Sequence, residues 1–455
     1  MKYYDFIVVG SGCGLIVTEE AVGHEVKVAL IDKGPLGGTC LNVGCIPSKM
    51  LIHAADRVVE AQEARKLGIK VKITSINFRA IMDRTHRVVQ RGKDHVRKGI
   101  TSSKKLDYYD GEGHFADDLT LEVNGERLKG KKIFIASGSR PFIPPIKGLD
   151  RIDYLTNESV LKLDKAPESL IIIGGGYIAV EFGHFFAAMG TKVTVLEMAE
   201  RLVLSEEPEI AELLKKKLSQ RMEIHTGLLV QEVRKMVNGE GVIAVAKDKA
   251  GGQIEEFTAH KVLVAVGRRS NADLLQVENT GILLDERGYI KVNEYLETSR
   301  KGIYAVGDAN GQQMFTHVAN MEAAMVVDNV LHRNRQKVDY SAAPHAVFSY
   351  PQIASVGLSE EKARASHKVL VGKARYFDVA YGEAMVEKEG FAKVIIDEDT
   401  DKILGFHIIG PYAPVLIQEV VNAMASDGHM GEIFKGMHIH PALSELIPAT
   451  LARLK

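Results

Sequence analysis

Cysteine is scarce in this 455-residue chain: Cys13, Cys40 and Cys45 are too few to form a structural disulfide framework. A reducing compartment keeps such thiols open unless a particular pair is catalytic, so the question is which pair. Net charge is missing as well. The 58 basic and 59 acidic residues leave −1, which gives no field to gather nucleic acid or an anionic membrane surface. No run approaches the ~20 consecutive apolar residues that span a bilayer. The start, Met1-Lys-Tyr-Tyr-Asp-Phe, lacks the charged-then-apolar layout of a signal peptide. No low-complexity segment or long linker is found. These absences predict a cytoplasmic protein with no nucleic-acid or membrane partner, acting on small molecules and pairing with another subunit.

The length suggests about three domains. Asp-Phe-Ile-Val-Val-Gly at 5–10 is an apolar β-branched run ending in glycine, the form of a strand buried on both faces of a parallel sheet. Leu-Ile-Ile-Ile-Gly-Gly-Gly at 170–176 repeats that opening, followed by a helical pattern from Ile178 to Met189. Each half thus begins strand, glycine turn, helix, strand, as a dinucleotide-binding βαβ unit does. Pro141, Pro144 and Pro145 mark a crossing between domains near 145. Beyond about 340 the glycine fingerprint disappears and a third, mixed domain is predicted. The divisions are 1–145, 146–270, 271–340 and 341–455, the first and third being parts of one domain.

Gly10, Gly12 and Gly14 supply a tight turn and a close backbone approach that let a helix N-terminus face a pyrophosphate. Leu15 stands where Gly or Ala normally allows close helix–strand packing, which puts that packing in question. Asp32 closes the second strand about 20 residues on, where an acid binds an adenosine ribose. In the second fingerprint, Gly174, Gly176 and Ala179 fit, and Glu197 ends the next strand. An acid there accepts the 2′-hydroxyl of NAD and repels the 2′-phosphate of NADP, so NADH is favoured over NADPH. A solvated strand-end acid is the plainer alternative, and Arg201 lies close by in sequence.

Cys40 and Cys45 are five apart, a spacing that on one undistorted helix exceeds the ~4.4–6.8 Å Cα range of a disulfide. A bond therefore needs a distorted first turn, for which Gly37, Gly38 and Gly44 supply flexible backbone. The N-terminal amides of the helix starting here would lower a thiol pKa. No second Cys or His pair with ligand spacing accompanies them, so no metal is predicted. Cys13, in the first glycine turn, reads as a small filler. Thiol exchange also needs a proton donor. Ile439-His440-Pro-Ala-Leu-Ser-Glu445 offers His440 at a helix cap, Pro441 at the first helical position, and Glu445 leaning back to orient the imidazole. Taken bare, such a start is mostly structural, and His438 beside it reads as structural too.

The run Gly-Gly-Thr-Cys-Leu-Asn-Val-Gly-Cys-Ile-Pro-Ser-Lys at 37–49 resembles the active-site signature of the pyridine nucleotide-disulfide oxidoreductases, the family of dihydrolipoamide dehydrogenase, glutathione reductase, mycothione reductase and mercuric reductase. The likeness covers essentially the entire chain. It implies an α/β fold with two Rossmann-like dinucleotide-binding domains and a C-terminal α+β dimerisation domain. It also implies that Cys45 contacts the flavin and Cys40 attacks the substrate disulfide, that Lys49 pairs with Glu181 beside the flavin, and that Tyr177 covers the nicotinamide pocket. FAD would be held by Gly10, Gly12, Gly14, Asp32, Lys33, Gly38, Thr39, Lys49, Ser137, Gly138, Asp308 and Thr316. NAD would be held by Gly174, Gly176, Tyr177, Glu197 and Gly267. His440 and Glu445 would complete the site from the neighbouring subunit of an obligate homodimer.

With no cysteine after Cys45 and no extra N-terminal cysteine module, mercuric reductase and the large thioredoxin reductases are disfavoured. The cysteine run and Glu197 resemble dihydrolipoamide dehydrogenase. Asn271-Ala-Asp-Leu-Leu, His317-Val-Ala-Asn-Met-Glu-Ala, Val379-Ala-Tyr-Gly-Glu-Ala-Met and Leu15 look like mycothione reductase. Dihydrolipoamide oxidation comes first by a small margin, with a low-molecular-weight thiol disulfide as the alternative. A flavoprotein oxidase or peroxide reductase with one working cysteine is more distant, because Cys40 and Cys45 come as a pair.

Overall fold

The computed structural model describes residues 1–237 and 239–455, and the chain forms two compact units. The first comprises 1–48, 82–142 and 267–339. Its sheet is centred on the strand Lys2–Val9, paired in parallel with Val28–Asp32 on one side and Glu126–Ile135 on the other. Leu106–Asp110 lies outside Val28–Asp32. The long strand Glu126–Ile135 has two neighbours on its far side, Thr120–Val123 antiparallel along its first half and Ile303–Ala305 parallel along its last.

The apolar run at 6–9 is continuous because both faces of the sheet are covered. Ile7 and Val9 pack with Phe115 and Leu121, while Phe6 and Val8 point the other way and pack with Val17, Ala21, Val326 and Val327. Those last four belong to the helices Gly14–Gly23 and Thr316–Leu331. Leu15 does not spoil this helix–strand packing. A Cβ on Gly14 would lie 2.9 Å from Val8 Cγ1 and 3.1 Å from the Ala136 methyl, so Gly14 makes the close approach and Leu15 lies partly buried at the margin.

The second unit comprises 49–81, 143–266 and 340–455. Four parallel strands run in the order Glu223–Thr226, Lys192–Glu197, Ser169–Ile173, Lys261–Val264. The helix Tyr177–Ala188 follows the second glycine turn, one residue ahead of the predicted span. An antiparallel ribbon, Leu228–Lys235, Val242–Asp248 and Ile254–Ala259, shares a core of Ile171, Val233, Ala244 and Val262 with those strands. The C-terminal part is a five-stranded antiparallel sheet from Pro344 to Ile409. Its inner residues Val356, Val394 and Phe406 pack against Ile417 and Val420 of the helix Ala413–Ser426 and Leu446 and Ile447 of the helix Leu446–Leu451.

A buried ion network ties the C-terminal sheet to the segment after the second glycine domain's acid. Lys393 Nζ lies 2.7 Å from Glu207, 2.6 Å from Glu360 and 3.1 Å from Glu209. Burial works to lower the Lys393 pKa, and its hydrogen bonds to Glu207 and Glu360 outweigh it and raise it. Such charges are tolerated in the interior only when paired in this way. Among the described residues, no helix is long and apolar enough to cross a membrane.

Candidate active site

The two cysteines meet because the helix breaks between them. Cys40 belongs to the short helix Gly38–Asn42, Val43 leaves helical geometry at φ −142, and Cys45 opens a new 19-residue helix, Cys45–Glu63. The turn is tight at Gly44, where a Cβ would lie 2.8 Å from the Thr39 carbonyl oxygen. All three cysteines are thiols. Cys40 is hydrogen-bonded to the Cys45 sulfur, and Cys45 Sγ lies 3.2 Å from Thr316 Oγ1. The Cys40 pKa is raised, first by the Cys45 contact and then by burial, with Thr316 pulling the other way. The lowering expected from helix amides is outweighed at Cys40, which lies inside the short helix rather than at its start, by the Cys45 contact and burial. Cys45 occupies the first position of the long helix.

Around this pair the first unit forms a cradle. Gly10 has φ +102, and a Cβ there would lie 2.2 Å from the Ala136 carbonyl oxygen, so only glycine makes the turn. The backbones of Gly12 and Gly38 approach so closely that a Cβ on Gly38 would meet the Gly12 Cα at 2.7 Å. Asp32 accepts the Ser11 amide at 2.5 Å and the Gly34 amide at 2.7 Å, which holds the glycine turn against the strand end. Lys33, beside it, pairs with Glu112 at 3.3 Å. Asp308 accepts from the Ser139 hydroxyl at 2.5 Å, with Arg268 Nε at 3.6 Å. Cys13 is a half-buried filler against Gly307, its thiol pushed up to about 12, first by desolvation. The Ser137 hydroxyl and the Asn42 side-chain oxygen are buried with no protein partner. Two facing glycine backbones, a helix start at Gly14 and orphaned polar atoms fit a dinucleotide such as FAD.

In the second unit, Gly174 (φ +112) repeats the role of Gly10, with a Cβ 2.4 Å from the Ala265 carbonyl oxygen. Glu197 leans on the glycine loop: its Oε2 lies 2.9 Å from where a Gly175 Cβ would be, and its Oε1 accepts the Ala199 amide at 2.5 Å. Tyr177, the first residue of the helix Tyr177–Ala188, hydrogen-bonds Ser205 Oγ at 2.7 Å and stacks on His345 at 6.0 Å. Burial pushes its phenol up to about 12. Lys49 Nζ lies 3.0 and 2.8 Å from the two Glu181 oxygens. His440 Nδ1 lies 2.9 Å from Glu445, whose other oxygen accepts the Ala442 amide at 3.0 Å. The Glu445 carboxyl is held below its usual range, first by His440. The local shape differs from the predicted helix start: a cis His440-Pro441 bond leads into a 3₁₀ turn, Leu443–Glu445, and only then the helix.

Residues 4–323 match the pyridine nucleotide-disulphide oxidoreductase family and residues 343–450 its dimerisation domain. The chain belongs to this family. The dihydrolipoyl dehydrogenase of Bacillus subtilis is 35% identical over 98% of this chain and 96% of its own. The mycothione reductase of Mycobacterium tuberculosis is 34% identical over the whole of both chains. The structure of the HOCl-induced flavoprotein disulfide reductase RclA from Escherichia coli, a Cu(II) complex, is similar with a TM-score of 0.87 and 27% identity, covering 99% of each chain.

The family is FAD-dependent and uses a pyridine nucleotide, and the protein is a flavoprotein disulfide reductase of α/β architecture with a C-terminal dimerisation domain. Within this family site, sequence reasoning missed several supporting residues. His345 donates to the wholly buried Glu206 at 2.6 Å while carrying the Tyr177 ring on its face. The Phe348 amide donates to Glu181 at 3.0 Å. Partners 139 and 167 residues apart carry no local pattern that could have revealed them.

Proposed function

We propose that the protein passes two electrons between NAD and a lipoyl-type dithiol through Cys40 and Cys45, as a dihydrolipoamide dehydrogenase: dihydrolipoamide + NAD⁺ gives lipoamide + NADH + H⁺. The observation that carries this reading is the contact of the two sulfurs, with the Thr316 hydroxyl 3.2 Å from Cys45. Cys40 acts as the exchanging sulfur. In the reductive direction its thiolate attacks the substrate disulfide and the departing thiolate takes a proton. Cys45 then attacks the Cys40 sulfur, which closes the Cys40–Cys45 disulfide and releases the second thiol.

Bound in the cradle of Gly10, Gly12, Gly14, Asp32, Gly38, Ser137 and Asp308, FAD supplies the two-electron relay to the nicotinamide. Gly174, Gly176, Tyr177 and Glu197 bind the nicotinamide cofactor, with Glu197 favouring NADH. Lys49 and Glu181 set the charge on the flavin side. The partner subunit's His440, oriented by Glu445, is the acid–base group. In one protomer the His440 side chain is 72% exposed, with Met437 and Ile439 bare beside it, as a site to be covered by a second copy would be.

A second reading, reduction of a mycothione-type disulfide, is favoured by the 34% match over both full chains. A single-cysteine oxidase is disfavoured by the paired sulfurs. Steady-state kinetics with lipoamide and with low-molecular-weight thiol disulfides, each with NADH and NADPH, separate these readings. A highest kcat/KM for lipoamide with NADH is expected, and a higher value for a thiol disulfide or for NADPH would overturn it.

A further inference from the structure

We infer that the first unit carries a surface site for a divalent transition-metal ion, built by Glu20, His24 and His332 with Asp328 beside them. The helices Gly14–Gly23 and Thr316–Leu331 end in the same way, each with an acid and, four residues later, a capping histidine: Glu20 and His24 on one, Asp328 and His332 on the other. That spacing puts acid and imidazole on one face of the last turn.

The two ends converge. The His24 and His332 rings are 5.0 Å apart at 75°, and one donor atom each from Glu20, His24 and His332 lies within 4.8 Å of the others. Asp328 Oδ1 is 3.9 Å from His332 Nε2. A tetrahedral ion with ~2.0–2.1 Å bonds holds its donors about 3.4 Å apart. These side chains are close to half exposed and can turn by the remaining ångström without disturbing the core.

Two further observations point to a cation. Helix C-termini carry partial negative charge, and here two of them, with two carboxylates, face one spot. The main-chain carbonyl of Glu20 accepts from His24 Nδ1 at 3.0 Å. His24 Nδ1 also lies 3.5 Å from the Glu20 carboxylate, and a backbone contact of this kind is what orients ligating histidines. An imidazole–carboxylate set suits Zn²⁺, Ni²⁺, Co²⁺ or Cu²⁺ and does not suit Ca²⁺ or Mg²⁺. An ion there would staple the far ends of the two helices that begin at Gly14, beside the glycine cradle, and at Thr316, beside Cys45.

The test is calorimetric titration of Zn²⁺ into the tag-free, chelator-treated holoenzyme, with Cys40 and Cys45 kept as the disulfide so that their thiolates do not compete. One site of micromolar Kd is expected, retained in a Cys40→Ser, Cys45→Ser variant and weakened at least tenfold in His24→Ala and in His332→Ala. These two exposed positions leave flavin content and disulfide turnover at wild-type levels. Wild-type binding no tighter than millimolar, or unchanged affinity in both histidine variants, overturns the inference.

Discussion

The hydroxyl of Thr316 stands 3.2 Å from the sulfur of Cys45, reaching the cysteine pair from the first turn of its own helix, and it works to lower the Cys40 pKa against the effects of Cys45 and burial. Thr316→Val removes a donor that stabilises thiolate. Disulfide exchange at pH 7 is then expected to slow by up to about tenfold and to recover toward pH 9, because only the thiolate is nucleophilic. Thr316→Ser keeps the hydroxyl and the rate. A pH–rate profile unchanged in the valine variant would remove Thr316 from the chemistry.

His440→Ala is expected to spare flavin reduction by NADH and to slow substrate exchange by roughly 10²- to 10⁴-fold, the usual contribution of a general acid–base group. Glu445→Gln, which loses the charge facing His440 Nδ1 at 2.9 Å, produces a smaller loss of the same kind. Stopped-flow measurement of the two half-reactions distinguishes them, and full turnover in the alanine variant excludes His440.

Gly10→Ala and Gly174→Ala push a methyl into the Ala136 and Ala265 carbonyls, at 2.2 and 2.4 Å, from strained φ values. Each is expected to cost about 1–3 kcal/mol or more, with separable consequences. The first lowers bound flavin after purification. The second leaves the flavin in place and raises the KM for NADH more than tenfold. Flavin loss from Gly174→Ala and not from Gly10→Ala would reverse the assignment of the two cofactor sites.

His184 is wholly buried, with Nε2 2.9 Å from Asp56. Burial lowers its pKa below the usual imidazole value, with Asp56 pulling the other way. The unfolded chain therefore binds this proton more readily than the folded one. The His184 contribution is complete above about pH 6.5 and is lost as pH falls from there through the lower folded value. Thermal melts from pH 8 to 5 should show the wild-type Tm falling more steeply than that of His184→Gln. Parallel curves would show that His184 does not titrate in this way.

Much of the site was legible because it is local. The glycines at 10 and 174 read directly as turns, since a positive φ and a backbone carbonyl at 2.2–2.4 Å leave no room for a side chain. Asp32 and Glu197 were legible as strand ends, and the two continuous apolar strands as buried on both faces. Leu15 misled because the fingerprint counts positions, whereas the close helix–strand approach falls one residue earlier, at Gly14. His440 misled in a different way. Pro441 points to a helix start, but the chain makes a cis bond and a 3₁₀ turn first, and Glu445, the last residue of that turn, still reaches His440.

By itself the sequence determined the two glycine turns, the strands feeding them and the spacing of the cysteines, because turn chemistry and hydrophobic period act over a few residues. The tertiary structure alone decided that a helix break at Val43 brings Cys40 onto Cys45, that Thr316 reaches them from 271 residues away, and that His345 braces Tyr177 from Glu206. It also decided that two helix ends, Glu20–His24 and Asp328–His332, share one spot. Such meetings depend on how sheets and helices pack across long loops, and no local pattern in the chain encodes that packing.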